Sequence, residues 1–74
     1  MRERVRDIFR DILGDQSLIL TDESSPNTVD GWDSLNHIMI VATIEDDFDV
    51  EFSMAEIGSF KTFGDILKSL EEKK

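Results

Sequence analysis

Apolar side chains at Val5, Ile8, Phe9, Ile12 and Leu13 recur at the spacing of one stripe of an α-helix. Gly14 follows where a helix favours a left-handed closing residue, so a first helix is predicted to end there. From Asp15 to Asp33 the periodicity lapses. Pro26, Gly31, four Asp and a scatter of Ser and Thr mark a long loop, with Leu18, Leu20 and Val29 as candidate pins onto a core. A loop of this length in a small domain is unusual and tends to carry function. Ser34, a good helix-start residue, opens a run to Phe48 that contains neither Gly nor Pro, which predicts a second helix. Ser53-Met54-Ala55-Glu56 has the form of a capping box, and Gly58 is expected to close a short third helix quickly. Thr62, with Asp65 three residues on, can start a fourth whose stripe is Phe63, Ile66, Leu67 and Leu70. The expected fold is therefore all-α: a small four-helix bundle of three main helices and one short one, with a long loop between the first and second.

The second helix carries two apolar faces. Advancing 100° per residue from Ser34, Ile40, Ile44, Phe48 and Val41 fall at about 240°, 280°, 320° and 340°. Ile38, Ala42, Leu35 and Met39 fall at about 40°, 80°, 100° and 140°, roughly opposite. So small a domain can rarely bury both sides of one helix, and the set with Phe48, two Ile and Val is the bulkier, so it is assigned to the core. The strip of Leu35, Ile38, Met39 and Ala42 is then left partly exposed near Asp46 and Asp47, the anatomy of a protein docking site with acids for steering and apolar groups for contact. The competing reading has the third helix and the loop cover this strip as ordinary core.

Composition narrows the function. With 74 residues, 39% hydrophobic and 34% charged, the chain reads as a single folded domain over residues 1–74, without repeats or low-complexity tracts. Folding at this size hides only about 60% of the surface of the open chain, so a simple local core is expected and deep pockets are not. A two-lobed enzyme is excluded. The net charge of −9 is unevenly spread. Arg2, Arg4, Arg6 and Arg10 lie at one end and Lys61, Lys68, Lys73 and Lys74 at the other, while the stretch from Asp11 to Phe60 holds twelve acids and no Lys or Arg. Such a surface repels nucleic acid and anionic lipid and steers basic protein partners toward it. The absence of Cys rules out disulfides, thiolate metal sites and a cysteine nucleophile. No secretory signal is seen, and the apolar stretch beginning at Ile38 is far short of a membrane span, so a cytoplasmic monomer is expected.

Candidate chemistry gathers at the junction of loop and second helix. The first turn of a helix offers unpaired backbone N–H groups and the positive end of its dipole, so a phosphate ester on Ser34 would sit in favourable electrostatics. Ser34 or Asp33 acting only as a helix cap is the plainer alternative. Asp33, Ser34 and His37 suggest a hydrolase triad, but no oxyanion site is recognisable, and His37 falls at about 300° on the same wheel, within the core stripe. A packed or half-buried histidine explains it better. Asp47, Asp49 and Glu51 alternate as in a calcium loop, yet Phe52 stands where the turn glycine should be and Gly58 where the bidentate Glu should be, so no metal site is assigned.

As a whole the sequence resembles the acyl carrier proteins, including the related peptidyl carrier domains, which are modified with 4′-phosphopantetheine. The resemblance rests on Gly31-Trp32-Asp33-Ser34-Leu35 opening the second helix, on Ile44-Glu45-Asp46-Asp47-Phe48-Asp49-Val50-Glu51-Phe52 at its end, and on the order of helices around them. It implies that Ser34 is esterified by a phosphopantetheinyl transferase using coenzyme A, with Asp33 helping to present it, and that the chain is a carrier rather than an enzyme. It also implies that the core can loosen to shelter part of an acyl chain. Leu35, Asn36, Ile38, Met39, Ala42, Glu45 and Asp46 correspond to the surface read by acyl-loading and acyl-transferring enzymes with basic docking patches. Asn36 and Met39 stand where fatty-acid synthesis members usually have acids, and Trp32 replaces a small residue. These departures point to a specialised biosynthetic pathway, while Trp32 as a simple loop anchor is an equal alternative. An unmodified acidic interaction module, binding a basic partner through the second helix, is the reading from a different class.

Overall fold

The computed structural model describes residues 1–73. Four helices follow one another among these residues, with no strand: α1 (Arg2–Leu13), α2 (Ser34–Phe48), α3 (Met54–Ser59) and α4 (Phe63–Lys73). Their apolar stripes meet as the periodicity predicts. Val5, Ile8 and Phe9 of α1, Ile40, Val41 and Ile44 of α2, and Phe63, Ile66, Leu67 and Leu70 of α4 are all buried. Ile12, Leu13 and Phe48 pack half-buried at the margin. The Phe9 ring lies at the centre, edge-on to Trp32 at 4.8 Å and to Phe63 at 5.4 Å, the arrangement that aligns positive ring edges with negative ring faces.

Local chemistry sets the helix ends. Gly14 closes α1 in the left-handed region at φ 70°. Asp33, not Ser34, caps α2: its Oδ1 accepts the Asn36 N–H at 2.8 Å, which makes Ser34 the first helical residue. The capping box of α3 forms in both directions, with Ser53 Oγ accepting from Glu56 N and Glu56 Oε1 accepting from Ser53 N. Gly58 lies inside α3 instead of ending it; the helix stops at Phe60, whose backbone turns extended while its ring goes into the core. At α4, Thr62 Oγ1 accepts from Asp65 N and Asp65 Oδ2 accepts from Thr62 N and Lys61 N.

The long loop is a packed structure. Val29 and Trp32 are buried, and Leu18 and Leu20 sit half-buried against the core as the expected pins. Its middle is fastened to the N-terminus of α4, where Phe63 N donates to Ser24 O at 2.8 Å and Gly64 N donates to Asp22 O at 3.0 Å. Two amides that would otherwise lack helical partners are thereby satisfied. The Arg10 guanidinium reaches from α1 to Leu18 O with two hydrogen bonds. Across the helices, Arg4 forms a bidentate pair with Asp47, and Lys73 meets Glu56 at 3.0 Å.

Candidate functional site

Ser34 stands at the first position of α2, exposed to solvent, and its hydroxyl has no hydrogen-bond partner among the described residues. The N–H groups of Ser34 and Leu35 are likewise unpaired, since the first bonds of α2 begin at Asn36 N to Asp33 Oδ1 and His37 N to Asp33 O. The donors that a phosphate ester on this oxygen would meet are therefore present and unoccupied.

The backbone before Ser34 is held from both sides. Gly31 adopts φ 86°, a conformation that a side chain would strain, and its carbonyl accepts from Asp33 N at 3.0 Å and from Asn36 Nδ2 at 2.7 Å. Trp32 is 2% exposed, with its ring against Phe9. Its indole N–H donates to His37 Nδ1 at 3.0 Å, so the ring proton of a neutral His37 lies on Nε2, which faces Ile57 O at 3.2 Å. The loop-anchor reading of Trp32 describes this geometry. Both nitrogens of His37 are engaged elsewhere, Nδ1 by Trp32 and Nε2 by Ile57 O, and neither is hydrogen-bonded to the Ser34 hydroxyl, so the triad reading finds no support.

Beside Ser34 a shallow groove of about 460 Å³ opens between the loop, α2 and the end of α3, walled by Trp32, His37, Ile38, Ile57 and Phe60. The second apolar face of α2 continues from it. Leu35 is 69% exposed, Ile38 61% and Met39 48%, and Ala42 is exposed as well; α3 and the loop do not cover them. Asp46 is exposed at the far end of this strip. Two residues expected on the same surface have inward duties. Asn36 is half-buried with its amide committed to Gly31, and Glu45 is half-buried with Oε2 accepting from Phe52 N at 2.8 Å, which ties the segment after α2 back onto the helix. The hydrogen bonds from the Arg4 guanidinium hold the Asp47 carboxyl below its ordinary value, and those from Ser53 N and Lys73 do the same for Glu56. Sequence reasoning missed the tie between Trp32, His37 and Ile57; a histidine in an apolar stripe was its only signal.

A family model described as a phosphopantetheine attachment site matches residues 3–70. The chain belongs to this acyl carrier family. Acyl carrier proteins of Lactococcus lactis, from strains MG1363 and IL1403, are 39% identical over 72 residues, covering 97% of this chain and 94% of each relative. The solution structure of the holo acyl carrier protein from Geobacter metallireducens is similar with a TM-score of 0.89 at 32% identity, over 97% of this chain and 83% of that one. A Mycobacterium tuberculosis structure assigned as an acyl carrier protein is similar with a TM-score of 0.87 at 25% identity, over 96% and 95%. Acyl carriers bear a covalently attached 4′-phosphopantetheine and are carriers, not enzymes; they work with a phosphopantetheinyl transferase and with biosynthetic enzymes. The exposed oxygen and free amides at the start of α2 fit that group. Among the described residues no helix is long and apolar enough to cross a membrane.

Proposed function

We propose that Ser34 is the residue that receives the phosphopantetheine arm, and that the surface from Leu35 to Asp46 is where partner enzymes dock. The observation that carries this reading is an unpaired, exposed hydroxyl at the first position of a helix, followed on that helix by an apolar strip that the fold leaves open. When bound, the arm supplies a thiol that holds acyl groups as thioesters, which the chain's own composition cannot provide. The chain's residues present and steer. Asp33 fixes the start of α2, and the free N–H groups of Ser34 and Leu35 favour the negative ester. Leu35, Ile38, Met39 and Ala42 supply contact area, and Asp46 attracts a basic partner surface. Asn36 and Met39, replacing the acids usual in fatty-acid synthesis members, support service in a specialised pathway.

Incubation with a broad-specificity phosphopantetheinyl transferase and coenzyme A should add the mass of one arm to wild type and none to Ser34→Ala. No gain on wild type, or an equal gain on the variant, overturns the assignment. Binding of a basic partner that needs no coenzyme A and survives Ser34→Ala would favour an unmodified interaction module.

A further inference from the structure

Two residues before Ser34, Gly31 and Trp32, are fastened by the side chains of two residues after it. Asn36 Nδ2 donates to Gly31 O, and His37 Nδ1 takes the Trp32 indole N–H while the opposite edge of the same ring faces Ile57 O at the end of α3. The loop that delivers the chain to Ser34 is long, and Gly31, which has no side chain to restrict its backbone, adds conformational freedom just before the serine. A first helical turn has only its cap to resist fraying. The departure at Asn36 gains a physical meaning here: an ionised Asp or Glu at that position has no proton to give Gly31 O.

We propose that Asn36 and His37 are positioning residues for the modification of Ser34: they brace the Gly31–Asp33 turn so that the hydroxyl is displayed in one preset conformation. This rests on the reading of Ser34 as the attachment site. Neither residue touches the reacting atoms. Asn36 acts through the Gly31 carbonyl, and His37 acts through Trp32 and through α3. The transferase then meets a site that is already formed, whereas an unbraced junction is competent only part of the time, and apparent affinity falls by that fraction.

The experiment uses the full chain, coenzyme A and a broad-specificity phosphopantetheinyl transferase, with Asn36→Ala, His37→Leu and His37→Gln. Asn36→Ala removes the donor without altering charge and places a better helix former in α2. A junction closed only a tenth of the time raises the KM for the carrier by about tenfold with kcat nearly unchanged. Asn36→Ala and His37→Leu are expected to approach that limit, to speed amide hydrogen exchange at Trp32 and Asp33, whose N–H groups are bonded to Val29 O and Gly31 O, and, for His37→Leu, to shift the single indole N–H resonance. His37→Gln, which retains an acceptor and a donor, should lie near wild type. A KM rise in Asn36→Ala without faster exchange would make Asn36 a contact of the transferase and overturn the bracing, as would unchanged kinetics in both disruptive variants. Should His37→Leu fail to fold, Asn36→Ala decides alone. A wild-type chain that accepts no arm overturns the attachment reading itself, whereas variants modified as fast as a competent wild type overturn only the bracing.

Discussion

Gly64 has no room for a side chain. A Cβ built there would lie 2.9 Å from Asp22 O and 3.0 Å from Asp22 Cβ, because the loop backbone is drawn onto the first turn of α4 by the hydrogen bond from Gly64 N. Helix propensity alone favours Ala over Gly at such a position by about 1 kcal/mol. The contact reverses the sign: Gly64→Ala should destabilise the protein by about 1–3 kcal/mol, read as a lower urea midpoint with an unchanged slope. A more stable variant would show that the loop does not close on α4 as described. Nothing in the sequence marked this glycine, since it stands between Phe63 and Asp65 in a segment that reads as ordinary helix. Close approach of two backbones far apart in sequence leaves no local signature, whereas the reciprocal pair of Thr62 and Asp65 does, because both partners lie within one turn.

Along α2 the two faces behave as different materials. Ile44 is fully buried, and Ile44→Ala should cost about 2–5 kcal/mol through lost transfer energy and the cavity left behind. Met39→Glu, on the open strip, should shift stability by no more than about 0.5 kcal/mol while weakening acyl transfer by partner enzymes. Chemical denaturation of both variants separates the faces, and unfolding of the Met39 variant would mean that the strip is core. The wheel assigned this division correctly because bulk differs between the faces: Ile40, Val41, Ile44 and Phe48 outweigh Leu35, Ile38, Met39 and Ala42. The inward ties of Asn36 and Glu45 were not legible. Periodicity tells which side of a helix a polar residue occupies but not which backbone group, five or seven residues away, comes within its reach. Gly58 misled for a related reason, since the demand to bury Phe60 ends α3 two residues later than the glycine suggested.

For the molecule as a whole, two carboxylates link stability to acid. The folded values of Asp47 and Glu56 are lowered, Asp47 by hydrogen bonds from Arg4 and Glu56 by Ser53 N and Lys73. A lowered folded value gives stability that is present above the unfolded value, about 3.9 for Asp and 4.3 for Glu, and is lost as pH falls through the folded one. Thermal midpoints should therefore drop below about pH 5, and Glu56→Gln should flatten that drop; an equally steep fall in the variant would remove Glu56 from the account. Both groups lie at the surface, so the slope should be modest. The attachment of Asp22 and Ser24 to the head of α4 has a consequence in time. Polypeptides leave the ribosome N-terminus first. A nascent chain that already displays Ser34 but has not yet exposed Phe63 and Gly64 lacks the two amides that seat the loop ahead of it. On the proposed reading of Ser34 as the attachment site, the loop ahead of that serine is seated only after α4 has emerged.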